Sequence, residues 1–260
     1  MRYKLFGGSG LRVSELFLGA MTFGEQGGVG APPQECARIL DAYADAGGNV
    51  IDTAINYRGG ASEEIVGELL AGRRDRFVLS TKYTVSRHRD DPDAAGRTAF
   101  TGIQAPYNLL RRDIERELLP MAETLGLTVA AWSPLADGIL SGKYAGQDAS
   151  GQPSRVDPAT VTEQQRTVAA LVNEVAGGLG ASPAQVAIAW TRARSPLICP
   201  IIGARRLSQL ADNLGAADLD LPADMLARLD AATQIDLGFP ATFIRDNTPW
   251  VFGAAALEGT

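Results

Sequence analysis

The sequence predicts an α/β fold built on a parallel sheet, and three observations predict it. Short apolar runs of strand length alternate with amphipathic helical patterns along most of the chain, as parallel sheets require. Helix stops such as Gly47-Gly48 and Gly72 fall just before the next apolar run. The 260 residues, 45% hydrophobic and 21% charged, suffice for one α/β barrel or for one or two smaller domains.

Lys4 to Val13 carries Gly-Gly-Ser-Gly between two short alternating runs, which predicts a β-hairpin ahead of the main fold. The first main strand is Glu15 to Gly19. Pro33 opens a helix with Ile39, Leu40 and Tyr43 on one face, and Asn49 to Asp52 supplies the next strand, completing a βαβ unit. A second helix starts near Ser62 with Ile65, Val66, Leu69 and Leu70 on its buried face, followed by a strand from Phe77 to Lys82. Three more apolar runs, Phe100 to Gln104, Thr128 to Trp132 and Leu197 to Ile202, come with helix patterns at Asp113 to Leu125, Thr162 to Ala176 and Leu207 to Leu214. Ser182-Pro-Ala-Gln185 is a capping box with Pro183 in the first turn, leading into Val186, Ile188 and Trp190. Trp190 and Phe243 are expected to pack without a site role. That makes six main strands, and the loop between Lys82 and Phe100 holds no crossover helix.

The net charge of −6 argues against a nucleic-acid or anionic-membrane partner, since either calls for a basic surface. Met1 to Phe6 lacks the apolar region of a signal peptide and no stretch reaches bilayer-spanning length, so the cytoplasm is the expected location. Cys36 and Cys199 have neither disulfide-framework nor metal-ligand spacing and are expected to be small buried hydrophobes; no metal site is expected.

Asp52, Tyr57 and Lys82 fall where two consecutive strand candidates run out. A lysine near a tyrosine stabilises the phenolate, and an aspartate holds that lysine charged and fixed. Tyrosine could then donate a proton to a carbonyl oxygen while a nicotinamide cofactor supplies hydride to carbon. Taken alone, the same residues would also suit a structural ion pair with Tyr57 packed at a loop.

They have company. Leu18-Gly-Ala-Met-Thr-Phe-Gly24, Ile51-Asp-Thr-Ala-Ile-Asn-Tyr57, Leu79-Ser-Thr-Lys-Tyr83, Gly102-Ile-Gln-Ala-Pro-Tyr-Asn108, Ala131-Trp-Ser-Pro-Leu-Ala136, Ser141-Gly-Lys-Tyr144 and Ile202-Gly-Ala-Arg205 with Gln209-Leu-Ala-Asp-Asn213 follow one another in order. Over nearly its whole length the chain resembles aldo-keto reductases of the bacterial branch similar to potassium-channel β subunits. The resemblance implies a TIM-barrel-like fold in a single domain, 1–260, and a cytoplasmic NADP(H)-dependent reduction of small aldehydes or ketones. It makes Tyr57 the general acid, with Lys82 and Asp52 as its tuning pair. It assigns Gln104 to the nicotinamide carboxamide and Trp132, Ser133, Pro134, Leu135 and Lys143 to the pyrophosphate side. Arg205, Gln209, Asp212 and Asn213 would hold the 2′-phosphate and adenine, Gly203 would let the backbone approach, and Ala20, Met21 and Arg155 complete the cofactor set. Independently, Arg205 and Arg206 before a helix start combine cationic side chains with a helix N-terminus, which suits a phosphate; taken without the flanking motifs, the pair would also suit a solvated helix start. The branch also allows homo-oligomers. The tail from Gln234 would cover the pocket.

The departures from the family pattern are equally specific. The family's catalytic histidine, and a following strand that grips the carboxamide, have no counterpart here; about six of eight barrel strands are expected, with a deletion junction near residues 96–97. The single histidine, His88, falls in a polar loop and is not promoted to catalyst. Gly24 to Gly30 lacks the Lys-Ser/Thr end of a P-loop and is expected to be a loop at the barrel mouth. Impaired reductase activity is therefore one expectation. A non-catalytic NADP(H)-binding or assembly protein, or an incomplete version of a parent reductase, is the alternative.

Overall fold

The apolar runs pair as the alternation requires. In the computed structural model, which describes residues 1–26, 30–82, 101–144 and 156–252, the strands are β1 (Tyr3–Leu5), β2 (Arg12–Ser14), β3 (Phe17–Gly19), β4 (Val50–Asp52), β5 (Val78–Ser80), β6 (Gly102–Pro106), β7 (Thr128–Trp132) and β8 (Ile198–Gly203). β1 and β2 form the antiparallel N-terminal hairpin. The other six make one parallel sheet in the order β5-β4-β3-β8-β7-β6, a curled half-barrel that fits an incomplete TIM barrel. Among the described residues β5 and β6 are its two edges. Gly203 pairs with Gly19, Gly19 with Asp52 and Asp52 with Ser80, so four strands end in one row. That row carries the site.

Helices α1 (Pro33–Asp45), α2 (Ala61–Leu69), α3 (Leu118–Leu125), α4 (Glu163–Leu179), α5 (Pro183–Ala193), α6 (Leu207–Leu214), α7 (Ala223–Ala232) and α8 (Ala241–Phe252) complete the described elements. On the outer side of β3 and β4, the core joins Leu18 and Ile51 to Cys36, Ile39, Leu40 and Tyr43 of α1, Val66 of α2 and Leu210 of α6. A second core joins Val129 and Ile198 to Val172 of α4 and to Val186 and Trp190 of α5. Each large apolar side chain removed from water there contributes about 1.5–3 kcal/mol. Trp190 is fully buried, 5.5 Å from the ring of Tyr107, which bears out its packing role.

The hairpin closes the barrel end opposite the site. Gly7 donates its N–H to Thr128 Oγ1 (2.7 Å), Lys4 Nζ donates to the carbonyls of Pro196 and Ile198 (both 2.9 Å), and Phe6 packs on Phe17. Gly7 has φ +55° and a Cβ there would overlap the Thr101 carbonyl, so only glycine fits.

Three expectations need correction. The pattern from Asp113 to Leu125 is not one helix: a 3₁₀ turn at Asp113–Glu115 precedes α3. Pro120 has no N–H and its ring would collide with the carbonyl four residues back, so the helix restarts at Leu118 and places Pro120 in its first turn. The strand expected at Phe100 to Gln104 lies later, at Gly102–Pro106, in register with Thr128 to Trp132. Phe243, expected to pack, is 46% exposed on α8 and meets only the ring of the exposed Phe239 among described aromatic residues. α7, which presents little more than Leu229 to the core, was not anticipated. Thr162 and Ser182 cap α4 and α5 with complete capping boxes. No helix among the described residues is long and apolar enough to cross a membrane.

Candidate active site

At the end of β4 the Asp52 side chain is buried and gathers three donors. Its Oδ2 accepts from Lys82 Nζ (2.9 Å), and its Oδ1 accepts from Gln104 Nε2 (2.7 Å) and Ser80 Oγ (3.2 Å). Lys82 follows β5 and Gln104 lies on β6, so one carboxylate ties together the two edges of the open sheet. Lys82 Nζ also donates to the Thr53 carbonyl (3.0 Å) and sits 4.6 Å from the centre of the Tyr57 ring. Its charge therefore acts on the phenol through the ring face. Tyr57 opens a 3₁₀ turn whose next residue, Arg58, has φ +52°; the Arg58 guanidinium holds the carbonyls of Met21 (3.0 Å) and Gln26 (2.8 Å).

Asp52, Tyr57, Lys82 and Gln104 together line one part of a cavity of about 680 Å³. The loop after β7 supplies one wall, with Trp132, Ser133, Pro134 and Leu135 followed by Lys143. The turn after β8 and the inner face of α6 supply the other, with Gly203, Arg205, Gln209, Asp212 and Asn213. Local hydrogen bonds shape both walls. Asn108 Nδ2 donates to the Ser133 carbonyl (2.8 Å) and the Asp137 N–H to Ser133 Oγ (3.1 Å). Arg205 N–H donates to Gln209 Oε1 (2.9 Å), Asn213 Nδ2 to the Gly203 carbonyl (3.2 Å), and Gln185 Nε2 to Asp212 Oδ1 (3.1 Å). Thr22 Oγ1 bridges to the Ala204 carbonyl (2.7 Å), tying the turn after β3 to the turn after β8.

Backbone strain marks the same place. The four described non-glycine residues with positive φ are Arg58, Ser133, Ala136 and Asp137, one beside Tyr57 and three in the loop after β7. Such conformations cost of order 1–3 kcal/mol each and concentrate where a loop is held around a ligand.

Of the residues expected at the site, Ala20 is not brought to it. It is fully buried, its N–H donating to the Asp52 carbonyl and its own carbonyl accepting from Ser62 Oγ, so it supports the row from behind and lies outside the cavity lining. Met21 does line the cavity. Arg155, His88 and the junction near 96–97 lie outside the described residues. The tail was expected over the pocket, yet no described residue from Gln234 onward lines it. The amide of Leu207 at the start of α6 already donates to Glu35 Oε1 (2.7 Å) from α1, while the side chains of Arg205 and Gln209 line the cavity. Thr22, Asp137, Ser141 and Tyr144 line the cavity and were missed. Asp137-Gly138 is a turn dipeptide and could have flagged that loop.

The strongest perturbations of ionisation lie away from the cavity. Burial alone would raise Glu115, but hydrogen bonds from Arg112 and Tyr107 hold its carboxyl below the usual range. Burial, reinforced by Glu115, pushes the Tyr107 phenol up. Burial likewise raises the free thiols Cys36 and Cys199, the latter to about 11, and both side chains are buried as expected.

Several features suit a dinucleotide. The cavity carries a cation on each wall, Lys143 on one and Arg205 on the other, besides the ionisable cluster, and Trp132, 39% exposed, offers an aromatic face. A Cβ built at Gly203 meets nothing within 4 Å, so bare backbone faces open space there. Comparison with known proteins gives the family: the sequence profile of the Aldo/keto reductase family matches residues 15–99 and 91–234. The chain belongs to the aldo/keto reductase family. Membership makes it an oxidoreductase. Over 322 aligned positions, covering 91% of this chain and 82% of the relative, it is 28% identical to norsolorinic acid reductase stcV of Emericella nidulans. It is 29% identical to the uncharacterized oxidoreductase YrpG of Bacillus subtilis, covering 88% of this chain and 95% of that protein. With the NADP(+) aryl-alcohol dehydrogenase of Phanerodontia chrysosporium it shares 26% identity over 95% of this chain and 89% of that one. The glycerol dehydrogenase AKR11B4 of Gluconobacter oxydans superposes with a TM-score of 0.72 at 21% identity, covering 91% of this chain and 98% of its own, a likeness of fold.

Proposed function

We propose that this aldo/keto reductase reduces small aldehydes or ketones to alcohols with NADP(H), and that Tyr57 is its proton donor. The observation that carries the reading is the Asp52 node, which fixes Lys82 against the Tyr57 ring at the cavity end lined by Gln104. Lys82 held there sets a positive charge against the ring of the phenol, and Tyr57 is the hydroxyl acid at this end of the cavity. Asp52 holds Lys82 in place through a 2.9 Å contact to its Nζ. Trp132 to Leu135 and Lys143 would hold the pyrophosphate, Arg205 and Gln209 the 2′-phosphate, Asp212 and Asn213 the adenine, and the Gln104 carbonyl the carboxamide. Bound in this way, the reduced dinucleotide would supply the hydride for the carbonyl carbon. The cationic wall at Arg205 favours a phosphorylated ribose, hence NADPH over NADH.

Two findings support an internal deletion near residues 96–97. The family profile aligns in two stretches that meet at 91–99, and the alignments to relatives run to 316–344 positions for a chain of 260. The units so removed would include the family's histidine. Loss of one electrostatic donor typically lowers turnover by about 10²–10³, so a slow reductase is expected. The test is NADPH consumption with a reactive aldehyde by the wild-type protein and Tyr57→Phe, alongside fluorescence titration with NADPH and NADH. Equal rates in the two proteins would overturn the assignment of Tyr57. Binding without turnover would leave a non-catalytic dinucleotide-binding protein.

A further inference from the structure

We infer that Gln104 is a catalytic residue that donates a hydrogen bond to the substrate carbonyl oxygen alongside Tyr57, an inference that rests on the reductase reading. Carbonyl reduction builds negative charge on oxygen, and a fixed second donor aimed at that atom stabilises it. Among the described residues there is no histidine to serve. Lys82 gives two of its three hydrogens to Asp52 Oδ2 and the Thr53 carbonyl and lies against the Tyr57 ring. Gln104 lines the same end of the cavity with its side chain exposed to it.

The decisive feature is how Gln104 is held. Its amide nitrogen carries two hydrogens, and Asp52 Oδ1 accepts one at 2.7 Å. The second remains for a ligand. Asp52 is only 3% exposed and is itself fixed by Lys82 and Ser80, so the Gln104 amide has a rigid anchor of the kind that makes a donor preorganised. One carboxylate thus orients both the cation beside the proton donor and the amide beside the carbonyl. The amide's own oxygen stays available to the cofactor carboxamide, so the two assignments use different atoms. In the step itself, a C–H bond of the reduced dinucleotide would break, oxidising it, and its hydride would form the new C–H bond on the carbonyl carbon; the carbonyl π pair would move to oxygen, and that oxygen would take the Tyr57 proton. Gln104 keeps both hydrogens throughout, and solvent restores the phenol.

The experiment compares wild type, Gln104→Met and Gln104→Glu with NADPH and a series of para-substituted benzaldehydes, after a thermal melt and an NADPH titration have shown that each variant folds and binds. Both variants remove the N–H at nearly constant size; Gln104→Met does so without adding charge and carries the test, and Gln104→Glu, which sets a second carboxyl against Asp52, serves if the Met variant fails to fold. The expected result is a kcat loss of about 10²–10³ that grows as the aldehyde becomes less electron-poor, because an intrinsically weaker electrophile depends more on stabilisation at oxygen. A kcat within about threefold of wild type, or a loss of equal size across the series, would overturn the inference; the latter is what a purely positioning role through Asp52 gives. Absence of turnover in the wild-type protein would remove the reductase reading itself and this inference with it, whereas turnover by wild type with indifferent Gln104 variants removes the inference alone.

Discussion

Asp52→Asn tests the site and the fold together. The substitution keeps the shape but removes the charge facing Lys82, and its new N–H₂ must point at a donor, Lys82 Nζ on one side or Gln104 Nε2 on the other. Breaking a fully buried ion pair costs about 3–5 kcal/mol. The Asp52 side chain is 4% exposed, but that of Lys82 is 23% exposed and can turn toward water, which places this pair at the low end of the range. About 3 kcal/mol is therefore expected, and for a chain of this length each kcal/mol lowers Tm by about 2–4 °C, giving a fall of about 6–12 °C. Urea titration should show a lower midpoint at unchanged m-value, since no further surface is exposed. The double variant Asp52→Asn/Gln104→Met should lose less than the sum of the two single losses, because the two side chains share a hydrogen bond. An Asp52→Asn protein within about 1 kcal/mol of wild type, with additive effects in the double variant, would show that Asp52 does not hold the two sheet edges together.

Other expectations follow from the same geometry. Glu115, whose carboxyl is held low by Arg112 and Tyr107, contributes stability that is present above the ordinary glutamate range near 4.5 and is lost as pH falls through its lowered value; Glu115→Gln should flatten the acid side of a Tm-against-pH profile and lower Tm at neutral pH. Cys199, raised to about 11 by burial, and the buried Cys36 should resist iodoacetamide at pH 8 in the folded protein and react fully in urea, as thiol alkylation followed by mass spectrometry would show. Gly203→Val should melt within a few degrees of wild type, because its side chain enters open space, yet weaken NADPH in a fluorescence titration by about tenfold, or ~1.4 kcal/mol. Ala136→Gly, at φ +49°, should raise stability by about 1 kcal/mol in urea titration by relieving a left-handed alanine.

What was legible in the sequence depended on how locally each feature is determined. Thr128–Trp132 is a continuous apolar run and was placed to the residue, and the helices behind Thr162 and Ser182 carry their own start signals. The parallel sheet followed from alternation. Pro120 was visible but its effect was not, because a helix pattern scores the face of Asp113 to Leu125 without asking where each carbonyl points. At the site, motif order brought Asp52, Tyr57, Lys82 and Gln104 to one cavity. It did not distinguish Met21, which faces it, from Ala20, which faces the core, since neighbours in a tight turn differ only in direction. Nor did it foresee the contact between Asp52 and Gln104, which needs the curl of the whole sheet. In the cluster of Tyr107, Arg112, Glu115 and Trp190 the first three are neighbours in sequence, Arg112 and Glu115 at a spacing of three, but Trp190 joins them from α5 only after folding.

The pairing of β3 with β8 has a consequence for how the molecule is made. Leu18 finds its partner Ile202 only after more than two thirds of the chain has been synthesised. Until then β3-β4-β5 can gather with α1 and α2, and β6-β7 with α3, as two arms without their central seam. Closing so long a loop is slow relative to helix formation, and the waiting arms present unfinished apolar surface that invites association between nascent chains. Slow emergence of the last third, or a chaperone that shelters Phe17 to Gly19 meanwhile, should therefore govern the yield of folded protein more than any residue of the cavity.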